Sequence, residues 1–268
     1  MNLSWPLLKL RQGGVKERLI FALDVGSLKE AREYLSLLSG EVGMFKVGKQ
    51  LFLHAGPQII YLVREKGGEV FLDLKFHDIP RTVARAGVEA TRLGVKMFDL
   101  HASGSLEMMR RTLTEINKVC RTERLRRPKI LAVTVLTSLN KEDLKRTGVM
   151  AGVESQVARL AKLAKRAGMD GVVASPLEIS RIRRECGKNF ILVVPGVRSA
   201  GEGWDDQKRV LTPEEAMRTG ADYIVVGRPI RDASNPREAA RQIVSEMERG
   251  LTSLLGRRVN LFRNVSAQ

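Results

Sequence analysis

The sequence predicts an α/β chain that closes into a single-domain (β/α)8 TIM barrel. Three observations carry that expectation. Short apolar, β-branched runs recur along the chain. Amphipathic stretches of helical length separate them. Several of those stretches end in glycine just before the next run, where a left-handed cap turns a helix into a strand.

The runs are Leu19–Asp24, Met44–Gly48, Val70–Leu74, Val95–His101, Ile130–Thr137, Gly171–Ala174, Phe190–Pro195 and Tyr223–Gly227. They read as nearly continuous apolar segments, the pattern of parallel strands buried on both faces. Leu28–Leu38 and Val153–Ala167 are the clearest helices, with apolar residues three and four apart. The helix-ending glycines are Gly67-Gly68, Gly94, Gly168, Gly187 and Gly220. Eight such units in roughly 230 residues suit a closed barrel. An open doubly wound sheet would carry a Gly-x-Gly-x-x-Gly after its first strand. Here that strand ends Asp24-Val-Gly-Ser. Residues 1–18 and 249–268 read as extensions on either side of a barrel spanning 19–248.

Composition narrows the function classes. Of 268 residues 43% are apolar, enough for one large core, and no apolar run is long enough to span a bilayer. The stretch MNLSWPLLKLRQGG lacks the basic start, long apolar run and cleavage site of a signal peptide. Cys120 and Cys186 are too few for a disulfide framework, so a reducing cytoplasm is expected. The formal charge of +16 raises the question of nucleic-acid binding. Its lysines and arginines are dispersed, with acids interleaved and no binding motif, so no nucleic-acid partner is expected. The charge would serve equally as a solvated surface or to steer a polyanionic small substrate.

Barrel active sites gather at the C-terminal ends of the strands. There this sequence places Asp24, Lys46, Asp73 with Lys75, Thr137-Ser138, Pro195-Gly196-Val197-Arg198 and Gly227-Arg228. The positions after strands seven and eight are the usual phosphate site of the fold. Gly196 and Gly227 allow close backbone approach, and Arg198 and Arg228 can grip phosphate oxygens in pairs. The loop from Gly196 to Thr212, with Gly201 and Gly203, reads as a lid.

Asp73-Leu-Lys75 is the sharpest feature. Residues two apart on a strand share a face, so the acid and the amine should share the site, bordered by Asp24 and Lys46. A lysine among carboxylates is held as the ammonium, a poor Schiff-base nucleophile and a good proton donor. The same residues would also make a structural salt-bridge network; their place at the barrel mouth beside a phosphate site favours catalysis. Asp78 lies past the strand near a helix start at Pro80, facing either the same pocket or a partner's. The histidines His54, His77 and His101 lack metal-ligand spacing, so no metal is expected.

A run of motifs then resembles a known family. Phe21-Ala-Leu-Asp24, Phe45-Lys46-Val-Gly48, Asp73-Leu-Lys-Phe-His-Asp-Ile-Pro80, Thr137-Ser138-Leu139, Pro195-Gly-Val-Arg198, Asp206-Gln-Lys-Arg209 and Val226-Gly-Arg-Pro229 are similar to those of orotidine 5′-phosphate decarboxylase, in order from Leu19 to Arg231. The Asp-x-Lys-x-x-Asp motif alone is shared with sugar-phosphate relatives such as ketogulonate-phosphate decarboxylase. Ile79-Pro80 with Arg198, Gln207 and Arg228 narrows the resemblance to the orotidylate enzyme. Arg81 departs from the family, which commonly has Asn there, and leaves the contact of that position open.

The resemblance implies decarboxylation of orotidine 5′-monophosphate, without cofactor or metal. Lys75 would protonate C6 of the pyrimidine and Asp73 would lie beside the departing carboxylate. Asp24 and Lys46 would bind ribose hydroxyls and hold the charge array, and Thr137 and Ser138 would meet the base. Arg198, Gly227 and Arg228 would bind the phosphate, with Gln207 bridging phosphate and base. Asp78 and Thr82 would reach the neighbouring site of a homodimer. The competing readings are a metal-dependent sugar-phosphate decarboxylase or aldolase on the same barrel, and a basic nucleic-acid-binding protein.

Overall fold

A computed structural model of the protein describes residues 14–198 and 211–265, with side chains to residue 253. Its strands are β1 (Leu19–Ala22), β2 (Met44–Gly48), β3 (Val70–Phe76), β4 (Met97–His101), β5 (Lys129–Val133), β6 (Gly171–Val173), β7 (Ile191–Pro195) and β8 (Tyr223–Val226). All pair in parallel in chain order and close into a barrel, β8 meeting β1 with Leu19 opposite Ile224. The helices are α1 (Leu28–Leu38), α2 (Lys49–Ala55), α3 (Gln58–Glu65), α4 (Pro80–Arg92), α5 (Leu106–Thr122), α6 (Lys141–Arg146), α7 (Val153–Ala167), α8 (Ile179–Cys186), α9 (Pro213–Thr219), α10 (Arg228–Arg231) and α11 (Pro236–Val265).

Strand alternation divides the buried apolar residues into two cores. Ile20, Met44, Phe71, Met97, Leu131 and Val193 belong to a small cluster that fills the barrel. Phe21, Phe45, Leu72, Phe98 and Leu192 face outward into the larger layer beneath the helices. Two residues further along β2, β3 and β4, on the same inward face, stand Lys46, Asp73 and Asp99. The barrel interior therefore changes from apolar to charged within one pleat, at its C-terminal mouth.

The opposite rim is held by ion pairs that start strands. Asp222, just before β8, accepts from Leu192 N at 2.8 Å and from Arg183 Nη2 at 2.6 Å. Asp170, just before β6, accepts from Ile130 N and Arg127 Nη1, both at 2.8 Å. Each carboxylate ties a strand amide to an arginine on the connection that leads into a neighbouring strand.

Several strands are shorter than their apolar runs. β5 stops at Val133 because its neighbour β6 ends at Val173, the residue paired with it, and no ladder partner remains. Leu136–Leu139 then turns, Leu139 N donating to Leu136 O at 3.0 Å, so Thr137 and Ser138 sit on a loop. β1 likewise ends at Ala22, two residues before Asp24. Val15 and Leu251 are buried in the outer core, and α11 runs unbroken through residue 248. Among the described residues, no helix is long and apolar enough to cross a membrane.

Candidate active site

A cavity of about 150 Å³ opens at the C-terminal mouth, with Phe71 and Val225 among its walls and Lys46, Asp73, Lys75 and Thr137 supplying its polar groups. The charges form a chain of alternating sign. Asp24 Oδ1 lies 2.9 Å from Lys46 Nζ, which lies 3.3 Å from Asp73 Oδ2. Asp73 Oδ1 in turn makes a close ion pair with Lys75 Nζ. Asp73 is buried, which by itself would raise its pKa; the ammonium groups of Lys46 and Lys75 outweigh burial and hold it down at about 2. At Lys46 burial favours the neutral amine, yet the carboxylates of Asp73 and Asp24 prevail and raise its pKa.

Asp73 and Lys75 meet across an irregular stretch of β3. Leu72 pairs with Phe98 and Phe76 with Leu100, so the stretch Asp73–Lys75 bulges opposite Asp99 alone. Lys75 has φ +50°, left-handed backbone that a lysine seldom adopts. The bulge takes the Lys75 amide out of the ladder, and Asp99 Oδ1 accepts it at 2.8 Å. Asp99 is fully buried, and burial together with the nearby Asp73 charge pushes its carboxyl well above the usual range. Motif spacing gives no hint of Asp99. Its one signal in the sequence is a carboxylate inside the apolar run Met97-Phe-Asp-Leu-His101.

Thr137 lines the cavity, and Ser138 is exposed on the adjoining turn. Gly227 borders the array: a Cβ there would lie 3.3 Å from that of Ala22 and 4.0 Å from Asp24 Oδ2. It precedes Arg228 in α10, whose Arg231 Nη1 donates to the Asp24 carbonyl at 3.0 Å. Gly196 takes φ +77°, and the amide of the half-buried Arg198 donates to Leu211 O at 3.2 Å. Gln207, with Gly201 and Gly203 of the expected lid, lies outside the described residues.

Asp78 and Thr82 do not join the array. Both are exposed, Asp78 Oδ1 accepting from Ile79 N at 2.6 Å, and among the described residues Asp78 makes no ion pair. Ile79 between them is 66% exposed, a large apolar side chain at the barrel rim. His101 ends β4 with its ring centroid 5.1 Å from that of His77. Burial, then the neighbouring His77 and Lys75, lower its pKa to about 4.

The model of the orotidine 5′-phosphate decarboxylase / HUMPS family matches residues 17–243. The chain belongs to that family. It is 52% identical to the orotidine 5′-phosphate decarboxylase of Geotalea daltonii over 88% of this chain and 98% of that protein. It is 53% identical to that of Geobacter sulfurreducens, with the same coverage of both chains. The crystal structure of orotidine 5′-phosphate decarboxylase from Lactobacillus acidophilus superposes with a TM-score of 0.76 at 35% identity, covering 85% of this chain and 98% of that one. The family match takes in all eight strands and the whole charge array, and ends inside α11.

Proposed function

We infer that the chain converts orotidine 5′-monophosphate to uridine 5′-monophosphate and carbon dioxide, the last step of de novo pyrimidine nucleotide synthesis. The observation that carries this reading is the Asp24–Lys46–Asp73–Lys75 array at the barrel mouth of a chain in this family.

The chemistry sets the requirement. Breaking the bond between C6 and the carboxylate releases carbon dioxide and leaves an electron pair on C6, in the ring plane with no adjacent group to delocalise it. The Lys75 ammonium stabilises that pair as it forms and then gives C6 its proton. Asp73, ionised and fixed by two lysines, lies beside the substrate carboxylate and favours its departure as carbon dioxide. Lys46 and Asp24 hold the array and hydrogen-bond the ribose. Thr137 and Ser138 meet the base. Arg198, Gly227 and Arg228 take the phosphate, with Gln207 bridging it to the base. Phosphate binding far from C6 lowers the barrier by fixing the geometry of the reacting carbon.

The active form is a homodimer in which Asp78 and Thr82 of the partner subunit complete each site. The exposed Asp78, Ile79 and Thr82 at the rim support it, since a large apolar side chain there suits a covered surface. The unpaired cysteines suit a cytoplasmic setting.

The test is the ultraviolet change of the base when purified protein meets orotidine 5′-monophosphate, with and without chelator. Turnover that chelator leaves unchanged is expected. Folded wild-type protein without turnover would refute the reading, and turnover that chelator abolishes would point to the metal-dependent alternative.

A further inference from the structure

Asp99 is a buried carboxyl group in contact with both residues assigned to the chemistry, and the proposed mechanism gives it no role. Any part it plays rests on the reading that Asp73 and Lys75 perform that chemistry.

Each Asp99 oxygen has its own surroundings. Oδ1 accepts the Lys75 amide at 2.8 Å. Oδ2 is enclosed and has no donor among the described residues. Across the bulge the Asp99 carboxyl has the Asp73 carboxylate, itself an acceptor, as its hydrogen-bonding neighbour. Two facing carboxylates in a buried site cannot both be ionised at modest cost. Asp73 has two ammonium partners, whereas Asp99 has one backbone amide. The shared proton therefore belongs on Asp99. The strand on the far side adds no competing charge, since Leu131 of β5 pairs with Asp99.

We propose that Asp99 is a positioning residue, a neutral carboxylic acid whose O–H donates to Asp73 while its carbonyl oxygen accepts the Lys75 amide. One side chain thereby fixes both members of the catalytic pair across the bulge. It holds Lys75 in its left-handed conformation and orients the Asp73 carboxylate between Lys46 and Lys75. The raised pKa of Asp99 agrees with the proton being there.

The test uses the full chain and three proteins: wild type, Asp99→Asn and Asp99→Leu. Asn keeps an acceptor for Lys75 and has a permanent donor for Asp73. Leu fills similar space and offers neither. Expected is kcat within a few-fold of wild type for Asp99→Asn and a fall of about 100-fold for Asp99→Leu, with KM little changed. The infrared difference spectrum of wild type minus Asp99→Asn at neutral pH should show a protonated-carboxyl stretch. If Asp99→Leu does not fold, Asp99→Ala repeats the kinetic comparison, and the infrared band is read on the other two. Wild-type kcat in Asp99→Leu, an Asp99→Asn as impaired as Asp99→Leu, or absence of the band would each overturn the proposal. Loss of turnover in Lys75→Ala tests the underlying reading separately. An active wild type with a dead Lys75→Ala and an unimpaired Asp99→Leu would remove this inference alone.

Discussion

Lys75 carries left-handed backbone at a cost of about 1–3 kcal/mol, which persists only where the surroundings hold it. The bulge in β3 and the Asp99 side chain do so here. Strand alternation alone puts Asp73 and Lys75 in one site, and they do meet, though through a bulge that alternation does not contain. Apolar patterning reports which residues face the core. It is silent on a register shift, because the shift depends on what β4 offers opposite. The same limit hides Asp99, whose partners come from another strand. His101 gives a prediction at this scale. The fold keeps it neutral down to about pH 4, against 6.5 for a free histidine, through burial and the nearby His77 and Lys75. As pH falls below 6.5 the unfolded chain gains this proton before the native one, so the stability contribution is whole above 6.5 and is lost on the way to 4. Urea midpoints across that interval should fall less steeply in His101→Gln than in wild type. Parallel slopes would contradict the assignment.

Among the elements, the alternation of strand and helix is legible in the sequence throughout, as are glycine caps such as Gly168 and Gly220, both in left-handed conformation. Apolar runs overstate the strands wherever a neighbour runs out first, as Thr137 and Ser138 show beyond β5. The loop they occupy still delivers Thr137 to the cavity, so the site reading needs only the rim, not the strand boundary. The strand-starting clamps are not legible at all. Arg183 and Asp222 stand 39 residues apart and meet only when β7 and β8 pair. Both side chains are largely buried. Arg183→Ala would take the guanidinium partner from the buried Asp222 carboxylate and remove the donor to the Gly220 and Phe190 carbonyls. A loss of about 3–5 kcal/mol in unfolding free energy is expected from denaturant titration. A loss under about 1 kcal/mol would show that the clamp is as replaceable as a surface pair.

At the scale of the molecule, the strand starts carry ion-pair clamps and the strand ends the charge array proposed for the chemistry. Sequence reading reaches that division from polar residues gathered at one rim. It does not explain the +16 charge, and surface pairs such as Arg241 with Glu41 and Arg92 with Glu123 are neutral together and leave the excess unassigned. Assembly offers a test of where Asp78 acts. If Asp78 completes the partner's site as proposed, Lys75→Ala and Asp78→Ala protomers are each inactive as homodimers and should form heterodimers with one intact site when unfolded together and refolded. Random pairing should restore about a quarter of wild-type sites, because a two-fold interface exchanges the same residues in both directions. No recovery on mixing would place Asp78 in its own subunit's site. In the proposed mechanism the Lys75 ammonium at the barrel mouth supplies the catalysis. The most direct measurement pairs turnover of orotidine 5′-monophosphate with equilibrium binding of uridine 5′-monophosphate in wild type and Lys75→Ala. Expected is a fall of about 10³-fold or more in kcat with nucleotide affinity kept within about tenfold. A Lys75→Ala protein that binds the nucleotide and still turns over near the wild-type rate would contradict that role for Lys75.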